Sequence, residues 1–159
     1  MSKLVRDVMQ ANVTTVSLET TFPELRRVFV KTGFGAVPVL DRDQRMKGIV
    51  SRSDVVRKAS IEQSLAELAD SDFDSTLGVE DNDDALESIG AAVGRRLANV
   101  TAQEIMITKV LTIDPDEPLA EAARQMVERG IHRLPVLDGG RLVGIVSAFD
   151  FMALYAEEQ

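Results

Sequence analysis

The chain has 159 residues, of which 45% are hydrophobic and 28% are charged, so it suits one compact domain or two small ones. It contains no cysteine, which excludes disulfides and thiolate chemistry. No charged and then apolar leader follows Met1, and no apolar run approaches the roughly 20 residues of a membrane span. We therefore expect a cytoplasmic protein with no membrane partner.

The net charge of −8 is concentrated in one segment. Residues 61–98 contain ten acidic and two basic side chains, which accounts for the whole net charge of the chain. Nucleic-acid binding needs a basic stripe that displaces counterions from phosphates, and the sequence has none. We therefore expect no nucleic-acid partner.

Apolar periodicity predicts an alternation of strands and helices in the first part of the chain. In chain order, the predicted elements are one or two helical turns within residues 3–9, a strand over 13–16, a helix over 22–32, strands over 36–40 and 48–50, and a helix from about residue 54. In the helix over 22–32, Leu25, Val28 and Phe29 recur at the spacing of a buried face. Gly33 then fits a helix C-cap, and Ser51 or Ser53 can cap the next helix.

The end of the chain repeats this order. The predicted elements are a strand over residues 110–113, a helix over 119–129 that Gly130 caps, strands over 134–137 and 142–146 joined by a tight turn at Gly139–Gly140, and a helix over 149–156. Each half therefore reads β-α-β-β-α. The two sheets should pack together, because each alone would leave an apolar face in water. The predicted fold class is α/β.

The acidic segment between the halves has a different pattern. Ile61, Leu65 and Leu68 form an apolar stripe that predicts either a bend near Ser60 or a helix that touches two surfaces. A second helix is predicted over residues 83–98, with acidic residues at its start and basic residues at its end. Residues 70–74 resemble the opening of a calcium loop, but the later positions that need Gly and Glu hold Ser75 and Asp81. We therefore predict a solvated acidic turn and no metal site.

An internal repeat underlies the two halves. Residues 130–138 read GIHRLPVLD and residues 144–150 read GIVSAFD, and a weaker copy reads GFGAVPVLD over 33–41 and GIVSRSD over 48–54. The copies are 97 residues apart at Pro38 and Pro135 and 96 apart at Asp54 and Asp150, so the first copy has one extra residue in its turn. The chain is thus a duplicated unit, and one such unit often cannot bury its own apolar face.

With both copies established, the chain resembles a pair of CBS domains, the repeats named after cystathionine β-synthase that act as adenine-nucleotide sensors. The resemblance implies a first CBS repeat over residues 1–60, an acidic insert over 61–100 and a second repeat over 101–159. It further implies a single module, related internally by a pseudo-twofold axis, that has two clefts. In each cleft, a Ser-x-x-Asp motif at the start of the last helix would hold a ribose.

The resemblance assigns binding residues to both clefts. The first cleft would combine Ser51, Asp54, Val110, Leu111, Ile131, His132 and Arg133, the last two facing phosphate. The second would combine Ser147, Asp150, Val13, Thr14 and Phe34. Here the sequence departs from the family pattern, because Gly35 and Ala36 stand where the first cleft has its His-Arg pair. The second cleft would therefore bind weakly, prefer a less charged ligand or stay empty.

Residue chemistry agrees with this assignment without excluding others. A carboxylate can accept hydrogen bonds from both hydroxyls of a ribose, and arginine and histidine can bind phosphate. Alternatively, Asp54 and Asp150 are only acids at helix starts, where the helix dipole favours them. An enzyme is not expected, since the chain has one histidine, no Gly-rich phosphate loop and no metal-binding His pair.

The predicted function is a regulatory module that binds AMP, ADP or ATP as a regulatory ligand and uses no cofactor. The alternative is a protein-interaction or dimerisation module with degenerate nucleotide sites. In either case we expect a homodimer, because Leu25, Val28, Phe149, Met152 and Leu154 cannot all face one sheet. The protein target is not identified by the sequence.

Overall fold

A computed structural model describes the backbone of residues 3–77 and 82–157 and the side chains of residues 3–66 and 90–157. After a 3₁₀ turn at Val5–Asp7, its elements are β1 (Val16–Ser17), α1 (Phe22–Thr32), β2 (Ala36–Leu40), β3 (Met46–Ser51), α2 (Arg52–Leu77), α3 (Asn82–Ala98), α4 (Ala102–Ile105), α5 (Leu119–Arg129), β4 (Arg133–Asp138), β5 (Arg141–Ser147) and α6 (Ala148–Glu157). Strands β1, β2 and β3 form one sheet in that order, and β4 pairs with β5 in a second.

The predicted order of helices and strands is confirmed except for the strand expected over residues 110–113 and for the unpredicted helix α4. Helices α1 and α5 and strand β2 have the predicted bounds, and the other elements differ by a few residues at their ends. Gly33 and Gly130 end α1 and α5 in the left-handed conformation, with φ of 71° and 62°. Gly139 and Gly140 both have positive φ in the turn between β4 and β5, as a two-residue hairpin requires.

Two predicted strands are wrong in extent. The strand expected over residues 13–16 is observed only at Val16–Ser17, and the strand expected over 110–113 is reduced to a single parallel bridge between Ile113 and Val136. Val16 and Ile113 are buried, whereas Val13 and Val110 are only half-buried and lie before the point of pairing. Apolar residues thus suggested longer strands than the backbone pairing supports. Helix α4 was not predicted at all.

The helix that follows β3 passes through the region near Ser60. Residues Arg52–Leu77 form one continuous helix, so the chain does not leave helical structure at Ser60. Helix α3 begins at Asn82 and ends at Ala98, close to the predicted bounds. The side chains of the predicted calcium-like run at residues 70–74, together with Leu68, lie outside the described residues.

The chain forms two compact units that do not coincide with the two repeats. One unit, the α1 unit, comprises Val16–Val39 and Ile49–Ile107; the other, the α5 unit, comprises Met1–Thr15, Leu40–Gly48 and Thr108–Gln159. The boundaries expected for the repeats and the insert remain a prediction.

Short segments at the start of each repeat explain this division, because each pairs with the other repeat. In the α5 unit, residues Lys3–Gln10 pair with the second repeat: Val5 N–H donates to the Glu117 carbonyl, and Leu119 N–H donates to the Lys3 carbonyl. In the α1 unit, the matching bonds run from Ala102 N–H to the Thr20 carbonyl and from Phe22 N–H to the Val100 carbonyl. Each donor and each acceptor in one unit is therefore the repeat equivalent of a donor or an acceptor in the other unit.

The cores of the two units are built from matching positions. The α5 unit buries Val5, Ile113, Leu119, Ala122, Met126, Leu134, Val136 and Val146. The α1 unit buries the equivalents Ala102, Val16, Phe22, Leu25, Phe29, Val37, Val39 and Val50. A large residue in one unit often corresponds to a smaller one in the other, as Leu25 does to Ala122. Each core therefore compensates for a small side chain at one position with a larger side chain at another, and the side-chain volume at equivalent positions is not conserved.

The end of the acidic segment belongs to the α1 unit. Leu97 of α3 and Val100 pack against Phe22 at the start of α1. Glu62 of α2 forms ion pairs with Lys58 in its own helix, at 2.8 Å, and with Arg96 of α3, at 3.8 Å. The hydrogen bond from Lys58 lowers the pKa of Glu62 below its ordinary value. Within the described part of the chain, no helix has the length and apolarity needed to cross a membrane.

Candidate functional site

The motif Ser51-x-x-Asp54 forms a capping box at the start of α2. One carboxylate oxygen of Asp54, Oδ2, accepts hydrogen bonds from Ser51 N–H at 2.8 Å and from Ser51 Oγ at 2.7 Å. In return, Asp54 N–H donates to Ser51 Oγ at 3.2 Å. Asp54 is only 6% exposed and is the one charged residue among the buried side chains of the described chain. The helix start thus fixes the orientation of the carboxylate.

The motif Ser147-x-x-Asp150 repeats the two hydrogen bonds from serine to the carboxylate at the start of α6. Asp150 Oδ2 accepts from Ser147 N–H at 2.7 Å and from Ser147 Oγ at 2.8 Å. The two motifs therefore share one geometry, in which Oδ2 holds the helix cap and Oδ1 is left for another donor. This confirms the helix-start role of both aspartates, and that role leaves Oδ1 available for further binding.

The donors at the two Oδ1 atoms differ. Asp54 Oδ1 accepts from Arg57 Nη1 at 3.3 Å, a long contact from a side chain one turn later in the same helix. Asp150 Oδ1 accepts from Gln10 Nε2 at 3.0 Å, a contact from a segment 140 residues earlier. A cavity of about 360 Å³ lies between α1 and α2 of the α1 unit, and one of about 210 Å³ lies beside Asp150.

Neither donor was predicted from the sequence. Arg57 could have been found, because a position three residues after Asp54 shares its helix face. Gln10 gave no comparable indication, because its place depends on backbone pairing between residues far apart. The segment that contains Gln10 lies on β5, where Gln10 and Ile145 exchange two backbone hydrogen bonds, of 2.8 and 2.9 Å. The matching pair in the α1 unit is Ile107 with Ile49.

The predicted phosphate residues lie at the entrance of β4. His132 and Arg133 are exposed, and Arg133 is the register partner of Ser147 on β5. The His132 carbonyl accepts from Ala148 N–H at 2.9 Å, at the start of α6. The backbone therefore brings the His-Arg pair close to the Ser147-x-x-Asp150 motif of its own repeat. In the α1 unit, the Gly35 carbonyl accepts the equivalent hydrogen bond from Arg52 N–H. Glycine has no side chain that could take the place of His132.

The other predicted residues are distributed over both units. Val13 and Thr14 are half-buried residues of the α5 unit, the unit that contains Ser147 and Asp150. Phe34, which is 42% exposed, belongs to the α1 unit, as do Ser51 and Asp54. The remaining three, all of the α5 unit, are the half-buried Val110 and Ile131 and the 41% exposed Leu111. The composition of each cleft remains a prediction.

Acidic residues near the site do not form an evident metal centre. Asp7, Asp150 and Glu157 line the 210 Å³ cavity together with Gln10. Even so, among the residues whose placement is described, no group of three or more histidine, aspartate or glutamate side chains is arranged to hold a metal ion.

Comparison with known proteins agrees with the repeat and the fold. The family model of the CBS domain matches residues 5–61 and 102–157. A CBS domain-containing protein of Dictyostelium discoideum is 32% identical over 155 residues, covering 97% of this chain and 92% of that protein.

Solved structures of CBS proteins share the fold. The structure of CBSX2 in complex with AMP has a TM-score of 0.68 at 21% identity and covers 98% of both chains. The CBS domain pair of protein MJ0100, in complex with 5′-methylthioadenosine and S-adenosyl-L-methionine, has a TM-score of 0.63 at 22% identity and covers 100% of both chains. The chain belongs to the CBS domain family and contains two copies of that domain.

Proposed function

We propose that this protein is a regulatory module that binds an adenine nucleotide through the ribose. The observation that carries the proposal is the pair of matching carboxylates, Asp54 and Asp150, each fixed by a serine cap that uses only one of its oxygens. The second oxygen of each carboxylate is bound by a side chain that a ligand can replace. The AMP complex of CBSX2 and the adenosine-type ligands of MJ0100 support the ligand class.

The chemistry of a ribose suits a fixed carboxylate. The 2′ and 3′ hydroxyls are neighbouring donors, and a carboxylate can accept from both. Hydrogen bonds to a charged acceptor contribute about 1.5–3 kcal/mol each, and the low exposure of Asp54 limits competition from water. A thermal-shift screen of AMP, ADP, ATP, S-adenosylmethionine and NADH tests the proposal. Absence of stabilisation by every compound would contradict it.

Arg133 is proposed to bind the ligand's phosphate, because it is an exposed cation with a planar set of donors. Replacing Arg133 by Ala should weaken AMP binding about ten- to a hundredfold, the effect of losing one charge-assisted hydrogen bond. Adenosine has no phosphate and should lose little. Isothermal titration calorimetry with both ligands measures the difference.

The matched control is Arg129→Ala, which removes an exposed arginine at the end of α5. It changes the net charge equally and should leave both affinities nearly unchanged. Equal losses of AMP and adenosine affinity in Arg133→Ala would show that the phosphate is bound elsewhere.

A homodimer is the second part of the proposal, and apolar exposure on matching helix positions supports it. Val30 of α1 and Val127 of α5 are 79% and 83% exposed, and Val56 of α2 and Met152 of α6 are each 64% exposed. Phe149 is exposed as well, as expected. Leu25, in contrast, is buried in the core of the α1 unit, and Leu154 packs against the core of the α5 unit. Exposed apolar side chains on neighbouring helices favour association with another protein surface.

Light scattering should therefore report a dimeric mass for the wild-type chain. Val127→Lys places a charge on the exposed face and should shift the mass towards the monomer, while Lys109→Ala, at an exposed position outside the helices, should not. A monomeric wild type, with and without AMP, would contradict the homodimer.

A further inference from the structure

The Gln10 side chain donates a hydrogen bond to the Asp150 carboxylate, and the Gln10 backbone is held by β5. Its backbone exchanges two hydrogen bonds with Ile145 of β5. The approach of this segment depends on Gly144, where an added Cβ would lie 2.6 Å from Met9 Sδ and 3.0 Å from the Gln10 carbonyl oxygen. The segment therefore lies so close to β5 that a larger residue at position 144 would have to displace the Met9 side chain and shift the Gln10 backbone. The Gln10 side chain starts beside the start of α6.

Because a carboxylate accepts a limited number of hydrogen bonds, the Gln10 amide and a ribose would compete for Asp150. A carboxylate has about four acceptor positions. At Asp150, three are used, two by Ser147 and one by Gln10 Nε2. One position remains, whereas a ribose diol brings two donors. Both hydroxyls can bind only after the Gln10 amide has left Oδ1.

We propose that Gln10 is a built-in competitor for the ribose at Asp150 and sets the selectivity between the two carboxylates. The inference rests on the proposed function. At Asp54 the third donor is Arg57, which makes a longer contact, is 66% exposed and belongs to the same helix, so it can turn away without moving another segment. Ligand at Asp150 must instead break the hydrogen bond from Gln10, which belongs to a segment outside α6. The Asp54 carboxylate is therefore the preferred ribose acceptor.

The repeat itself supplies the test variant. Ile107 takes the position of Gln10 in the α1 unit and makes the same backbone pairing with Ile49, so isoleucine fits that backbone and cannot donate to a carboxylate. Gln10→Ile is made in the 159-residue chain carrying Asp54→Asn, so that Asp150 is the remaining acidic ribose acceptor. Calorimetry with adenosine should show about three- to tenfold tighter binding, because one hydrogen bond no longer has to be broken.

Further variants separate the possible results. Adding Asp150→Asn should abolish the gain from Gln10→Ile. Gln10→Asn, whose shorter amide cannot reach as far, should give a gain as well and serves if the isoleucine variant is poorly folded. Binding that appears only after Gln10 is replaced would support the inference strongly.

Two outcomes overturn the inference in different ways. If the parent chain binds adenosine and replacing Gln10 leaves the affinity unchanged or weakens it, Gln10 does not compete, while the proposed function stands. If neither the wild type nor any Gln10 variant binds adenosine, both proposals are wrong. Thermal unfolding of each variant excludes loss of folding as the cause.

Discussion

Replacing Leu25 by Ala is expected to lower the free energy of unfolding by about 2–5 kcal/mol. Leu25 is fully buried in the core of the α1 unit, where it packs with Phe29, Val37 and Val50. The equivalent position of the α5 unit holds Ala122, but there larger residues fill the volume, and the α1 unit has no such replacement. A cavity therefore adds to the lost transfer free energy. Chemical denaturation monitored by circular dichroism measures the effect.

The control for this prediction lies on the same helix. Val30 is 79% exposed, so Val30→Ala should change the free energy of unfolding by about 0.5 kcal/mol or less. A Leu25→Ala variant as stable as Val30→Ala would show that α1 does not bury this face.

The second large effect is expected from Asp54→Asn, which should weaken the binding of both adenosine and AMP about ten- to a hundredfold. The amide oxygen can still accept from Ser51 N–H, so the start of α2 is kept. What is lost is the charged acceptor for the ribose hydroxyls, which both ligands share. Calorimetry with both ligands gives the two ratios directly.

Asp43→Asn is the matched control, since Asp43 is exposed in the turn between β2 and β3 and its replacement removes the same charge. It should leave both affinities nearly unchanged. If Asp54→Asn weakened AMP but not adenosine, the carboxylate would act through the phosphate rather than the ribose.

Much of this fold can be predicted from local sequence patterns. The helical spacing of Leu25 and Phe29 and the glycine that follows α1 determine the bounds of that helix, and the apolar run of β2 determines a strand buried on both faces. The repeat adds the equivalence of Asp54 and Asp150, which their matching serine caps confirm. These features depend on residues close in sequence.

Features that depend on distant residues were not predicted. The strand expected near Ile113 is a single bridge, because its neighbours lack backbone partners in the sheet. The pairing of residues 3–10 with the second repeat has no local pattern, so the contact from Gln10 to Asp150 could not be seen either. The resemblance to CBS domains suggested the ribose acceptors but not the side chains that occupy them in this chain.

The most direct test of the account compares adenosine with 2′,3′-dideoxyadenosine, because the two differ only in the hydroxyls assigned to the carboxylates. Calorimetry on the wild-type chain should show about tenfold or greater loss of affinity for the dideoxy compound. In the double variant Asp54→Asn/Asp150→Asn this difference should largely disappear. Equal affinity of the wild type for both compounds would contradict recognition of the ribose by Asp54 and Asp150.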